Sequence, residues 1–248
     1  MRLTPAPSPN FNDRRAAPDM VVLHYTGMVD GPVALARLRD PRAQVSAHYL
    51  VEEDGQVFAL VDEDRRAWHA GVSFWQGERD INGCSIGIEI VNPGHEFGYR
   101  DFPDAQVLAV IEMLDDIRSR WTVPNARILG HSDVAPERKQ DPGERFPWRR
   151  LAQAGHGLWV EPDPNSGSEL SEGHSGDAVA KLQSDLSRLG YEQVVSGRFD
   201  TATRARLIAF QRHWLQVRVD GVADGHTRAR LKTLAALPLD AEASRPQP

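Results

Sequence analysis

The alternation of apolar and polar positions marks out short strands interrupted by helices. MVVLHYT at residues 20–26 is apolar and β-branched up to its polar end, as a buried strand should be. In VSAHYLVEEDGQVFALV, residues 45–61, two alternating runs flank Asp54-Gly55, a strong hairpin signal. CSIGIEIV at 84–91 reads as a further strand, with Glu89 inside it. At 104–121 the period changes: Val107, Leu108, Val110, Ile111, Leu114 and Ile117 form a helical stripe. Pro103 precedes that helix and Asp104 sits in its first turn, where the helix dipole favours an acid. ARILGH at 126–131 returns to a strand and delivers His131 at its end. This order predicts an α/β fold, a mixed central sheet covered by helices.

Near residue 160 the pattern breaks. Residues 160–176 are rich in Pro, Ser, Gly and acids and nearly free of large apolar groups, so residues 159–171 read as a linker. It separates a first domain, residues 1–158, from a second, residues 172–237. The second opens with an amphipathic helix that puts Val179, Leu182, Leu186 and Leu189 on one stripe, and ATRARLIAFQRHWLQ is another such helix. Gly197-Arg198-Phe199-Asp200 and Gly221-Val222-Ala223-Asp224 echo each other 24 residues apart. Each aspartate is placed to cap the following helix, so this unit is expected to be a small all-α three-helix domain. Residues 238–248 are expected to be a disordered tail.

Composition narrows the function more than the fold. With 40% hydrophobic and 26% charged residues in 248, the chain is an ordinary globular protein, expected to act as a monomer. A net charge of -6 argues against a generic nucleic-acid binder, although Arg138, Lys139, Arg145, Arg149 and Arg150 form a local basic run. The single cysteine, Cys84, allows no internal disulfide and reads as a small core residue rather than a nucleophile. No stretch approaches a membrane span, and the start lacks the apolar core of a signal peptide. The expected location is the cytoplasm if the chain is complete, and the cell envelope if a signal has been trimmed.

Three strand ends carry chemistry: His24, Glu89, and His131 with Asp141 ten residues on in HSDVAPERKQDPG. Two histidines and a carboxylate match the ligand count of a catalytic zinc, which keeps a fourth position open. Taken singly, each residue has a plain alternative. His24 is equally a core histidine, Glu89 shares a face with Ser85 and Gly87 that is compatible with solvent, and Lys139 and Asp141 suit a solvated loop.

The ordered set LHYTG, VSAHYLVEEDG, AWHAGVSFWQG, NGCSIGIEIVNPG and GHSDVAPERKQDPGERFPW resembles the zinc-dependent N-acetylmuramoyl-L-alanine amidases. Their fold is related to peptidoglycan recognition proteins and phage T7 lysozyme. The likeness covers residues 18–155; residues 172–236 resemble the three-helix peptidoglycan-binding domain of cell-wall hydrolases. The resemblance implies one zinc ion held by His24, His131 and Asp141, with Glu89 and Lys139 as catalytic residues. It implies a peptidoglycan or muropeptide substrate, and makes Tyr25, Trp68, His69 and Asn82 candidate substrate contacts. His48 is read as structural, and His95, His156, His174, His213 and His226 as solvated. The family's wall-recycling branch carries arginines where this chain has Gln44 and Asp80, with Arg42 and Arg79 nearby, so broader-specificity members are the better match. The alternative is a non-catalytic peptidoglycan-recognition protein. The helical domain is expected to anchor glycan strands, its alternative being a packing module.

Overall fold

The computed structural model describes residues 2–164 and 168–238; the expected tail from residue 239 onward lies outside them. The strands are β1 (Leu3–Pro5), β2 (Phe11–Asp13), β3 (Met20–Tyr25), β4 (Tyr49–Val51), β5 (Val57–Ala59), β6 (Arg65–Ala67), β7 (Ser85–Ile90) and β8 (Ile128–Gly130). Around them run α1 (Gly31–Arg39), α2 (Ile81–Cys84), α3 (Gly94–Phe97), α4 (Asp104–Arg120), α5 (His131–Val134) and α6 (Trp148–Gln153). The C-terminal unit is α7 (Asp177–Leu189), α8 (Thr201–Trp214) and α9 (Gly225–Ala235). The main sheet has the order β1-β5-β4-β7-β3-β8, and β2 pairs with β6 in a separate ribbon. It is mixed, as expected: β4 and β5 form the antiparallel hairpin around Asp54-Gly55, while β3 pairs in parallel with β7 and β8.

Side-chain alternation gives the two central strands distinct faces. On one face Val21 and Leu23 of β3 and Ile86, Ile88 and Ile90 of β7 are buried against Val107, Val110, Leu114 and Ile117 of α4. The α4 stripe is rotated from its sequence reading. Leu108 is 50% exposed, whereas Met113 is buried, as is Gln106, whose amide donates to the carbonyls of Val51 and Val91. On the other face β3 and β7 bring Met20 opposite Ser85, Val22 opposite Gly87 and His24 opposite Glu89.

Within the helical unit the stripe of Val179, Leu182, Leu186 and Leu189 is buried, and Asp200 and Asp224 accept from the N–H groups of Thr203 and Thr227. That capping satisfies helix donors that would otherwise be unpaired. The unit shares a continuous apolar core with Met20, Val22, Trp75, Leu129 and Val134 of the first unit. Trp75 meets Tyr191 edge-on at 5.0 Å, and a side chain at Gly190 (φ 144°) would place Cβ 2.5 Å from the Trp75 ring. The segment between the units is tied at its ends: Leu158 accepts from the Trp214 indole, Trp159 lies under Arg230, and Leu170 pairs with Ala223.

Candidate active site

β3 places His24 at its C-terminal end, and β8 hands the chain directly to His131, the first residue of α5. The loop that follows folds back so that Ser132 N–H donates to Asp141 O at 2.9 Å. Three donor atoms converge there. His24 Nδ1 lies 2.9 Å from His131 Nδ1 and 3.0 Å from Asp141 Oδ2, and His131 Nδ1 is 2.9 Å from the same oxygen. All three residues are buried. Bonds of ~2.0 Å from a tetrahedral metal would set such ligands about 3.3 Å apart, so a small outward shift fits the ion.

The far nitrogens of both rings are held as metal-ligating histidines require. His24 Nε2 faces His69 Nδ1 at 3.0 Å, His69 Nε2 faces Ser85 Oγ at 3.2 Å, and the Ser85 hydroxyl donates to Ile81 O. A metal on His24 Nδ1 would leave Nε2–H to donate to His69, whose own Nε2–H would then donate to the serine. His131 Nε2–H donates to Ala70 O at 2.9 Å. Two further residues fix this backing. Asn82 Oδ1 accepts from the N–H groups of His69 and Ala70, and Gly87 is a glycine because a Cβ there would lie 2.4 Å from the His69 ring.

Burial, then the charge of His131, lowers His24 to about 4, and burial with neighbouring His24 and His48 takes His69 well below its ordinary value. Both rings are therefore neutral, the form that binds metals. Burial works to raise Asp141, but His131 and His24 outweigh it and hold the carboxyl well below the usual range. Glu89 goes the other way: burial, then the Asp141 charge, pushes it well above the usual range. Its Oε2 is buried without a partner among the described residues. A set of three buried ligand atoms with an orphaned carboxylate oxygen alongside is the donor chemistry of a metal hydrolase.

These groups line a cavity of about 370 Å³ that also takes in Tyr25, Trp68, Lys139 and His95. Tyr25 Oη bonds His95 Nδ1 at 3.0 Å, and His95 Nε2 faces Glu144 at 3.2 Å. The Trp68 indole donates to Asn12. Asn82 stands behind the cavity, and His69, although at its edge, is bonded to the back of His24. The expectation of solvated histidines is corrected at two positions: His156 and His213 are each 2% exposed. His48 is also buried, accepting from Gly87 N–H. The sequence reading passed over Arg14, whose guanidinium donates to the carbonyls of Glu63, Arg65, Gly83 and Ser85. Arg138, which the sequence places in a local basic run, donates instead to Ala70 O, the carbonyl that His131 also faces, and to Val72 O.

The family described as N-acetylmuramoyl-L-alanine amidase matches residues 14–144, and a putative peptidoglycan binding domain matches residues 175–231. The N-acetylmuramoyl-L-alanine amidase AmiD of Escherichia coli is 36% identical over 87% of this chain and 81% of its own. The 1,6-anhydro-N-acetylmuramyl-L-alanine amidase AmpD of the same organism is 34% identical over 58% of this chain and 87% of its own. Among solved structures, AmiD in complex with anhydro-N-acetylmuramic acid-L-Ala-D-gamma-Glu-L-Lys superposes with a TM-score of 0.74 at 34% identity, covering 88% of this chain and 89% of that one. AmpDh3 of Pseudomonas aeruginosa gives 0.75 at 29% identity, covering 88% and 91%. With its buried ligand triad and its two matched segments in order, the chain belongs to the N-acetylmuramoyl-L-alanine amidase family.

Proposed function

We propose that His24, His131 and Asp141 hold one zinc ion, and that Glu89 and Lys139 carry the amidase chemistry around it. The scissile bond is the amide between the lactyl group of N-acetylmuramic acid and L-alanine of the stem peptide, in peptidoglycan or muropeptides. The observation that carries this reading is the convergence of three buried ligand atoms in a cavity shared with Glu89, whose Oε2 is unpartnered among the described residues. When bound, zinc lowers the pKa of water toward neutrality and polarises a carbonyl.

The remaining work falls to the chain's own side chains. Glu89, beside His24 on the adjacent strand, takes the proton of the attacking water and passes it to the leaving amine. Lys139 brings a positive charge to the cavity, against the oxyanion that develops on the attacked carbonyl. Tyr25 and Trp68 form the wall assigned to substrate contact. His69 and Asn82 act instead on the placement of His24 and of residues 69–70.

The AmiD complex with an anhydromuramoyl tripeptide supports a muropeptide in this cavity. For residues 172–237 we propose a glycan-strand anchor, and for the whole chain a monomer. Light scattering checks the monomer, and comparing pelleting on insoluble peptidoglycan for the full chain and for loop variants of the helical unit checks the anchor. The enzyme reading is tested by mass spectrometry of muropeptide products. Stem peptide is released by the zinc-loaded chain, not after chelation, and again when zinc is restored. A zinc-loaded chain that leaves the lactyl amide intact refutes it.

A further inference from the structure

The turn that carries His131 is held from outside its own domain. Its head, Gly130 N–H, donates to Asp133 Oδ2 at 2.8 Å, so the Asp133 carboxylate closes the turn. Ser132, between the two, holds the main chain of Asp141. One four-residue helix thus fixes two of the three proposed ligands.

Asp133 is fully buried, and among the described residues its other two side-chain hydrogen bonds come from the helical unit. Tyr191 donates its hydroxyl to Oδ1 at 2.9 Å, and His213 donates Nδ1–H to Oδ2 at 2.7 Å. Tyr191 and His213 are themselves 2% exposed. Burial and the Asp133 charge push the Tyr191 phenol far up, so it stays a donor. The His213 ring is clamped between Trp148 of the first unit and Trp214 of its own helix, each at 3.7 Å between ring centres. A glycan anchor needs only a tether to serve its catalytic partner, yet here buried side chains of the helical unit supply two of the three hydrogen bonds to the Asp133 carboxylate, and removing either donor leaves the buried charge underpaired. An unpaired buried charge is strongly unfavourable, so these three residues are coupled.

We propose that the helical unit completes the metal site: Tyr191 and His213 are positioning residues that, through Asp133, hold His131 and Asp141 in place for the ion. The proposal rests on the zinc reading above. It makes the second unit part of the catalytic scaffold whether or not it also binds wall.

The test uses the full chain with a soluble muropeptide, so that wall anchoring plays no part. Zinc affinity by chelator competition, kcat and KM are compared for wild type, Tyr191→Phe, His213→Leu and His213→Asn. Tyr191→Phe and His213→Leu are expected to weaken zinc binding about tenfold, the low end for removing an outer partner of a metal ligand, and to lower kcat more than KM rises. His213→Asn, whose amide can reach the position of Nδ1–H, is expected to recover most of that loss. Variants that melt earlier yet bind zinc and turn over as wild type does would reduce the contact to ordinary packing and overturn the proposal. If His213→Leu fails to fold, Tyr191→Phe, which loses a single hydroxyl, decides alone. A wild-type chain that takes up no zinc overturns the metal reading and this inference together, whereas tight wild-type binding matched by the variants overturns this inference only.

Discussion

Replacing Glu89 by glutamine separates the proton carrier from everything else at the site. Glu89 is flanked in β7 by Ile88 and Ile90, both fully buried on the opposite face, and the substitution keeps side-chain shape and strand pairing. It is not among the proposed zinc ligands, so zinc content and KM are expected to stay near wild type. Losing a general acid–base is expected to lower kcat about 10²–10⁴-fold, or about 2.7–5.4 kcal/mol of barrier. The assay is stem-peptide release from a soluble muropeptide, with bound zinc measured on the same samples. A fully zinc-loaded variant within about tenfold of wild type would refute the role of Glu89.

The same substitution carries a stability signature. Burial, then the Asp141 charge, raises the folded Glu89 carboxyl well above its ordinary value of 4.5. Between the unfolded and folded values the folded chain holds one proton more than the unfolded chain. Unfolding free energy therefore falls with rising pH, by about 1.4 kcal/mol per unit for this group. Its full stability is present below the unfolded value and is lost going up through the window. Metal-free wild type should lose ground to metal-free Glu89→Gln as pH rises from about 5 to 7, read as urea midpoints. Zinc, a nearby dication, favours the charged carboxylate, so restoring it should shrink the gap. Parallel metal-free curves would show that Glu89 is not held protonated by its surroundings.

Other substitutions probe separate parts of the structure. Lys139→Met is expected to reduce kcat about 10²–10³-fold with zinc affinity unchanged, as for loss of an oxyanion partner; an unchanged kcat would remove Lys139 from the chemistry. His69→Ala breaks the bond to His24 Nε2 and should weaken zinc binding about 10–100-fold, with activity partly restored by excess zinc. Equal affinity in a chelator titration would leave His69 a packing residue. Asp200→Ala and Asp224→Ala each remove a side-chain cap and are expected to cost about 1 kcal/mol in denaturant unfolding, additively in the double variant. No loss from either would contradict the capping argument.

Elements with several periods of pattern were legible, and short strands were legible where something beside them spoke for them, as the Asp54-Gly55 turn does for β4 and β5. The reading of 104–121 corresponds to α4 (Asp104–Arg120), and that of 20–26 to β3 (Met20–Tyr25). β1, β2 and β6 span three residues each, too short for any period to declare itself. α1 did leave a signal, Asp30 followed by Gly31-Pro32, and Asp30 does accept from Val33 N–H. His213 was misplaced for a different reason. It lies between Arg212 and Trp214 in a helix that is apolar on one side, and nothing local tells a solvated histidine from one bonded 80 residues away to Asp133.

β7 shows where a sequence argument can be carried further. Ser85, Gly87 and Glu89 alternate with Ile86, Ile88 and Ile90, which by itself fits a strand with one wet face. But β7 has parallel neighbours on both sides, β4 and β3, and parallel strands in the middle of a sheet are covered on both faces. Water cannot account for its polar face, so each residue there needs another reason. Ser85 accepts from His69, Gly87 leaves room for the His69 ring, and Glu89 lines the cavity with His24, His131 and Asp141, its Oε2 unpartnered among the described residues. Polar alternation at the edge of a sheet points to solvent; in a central parallel strand it points to a site. The topology of the strand therefore has to be settled before its pattern is interpreted.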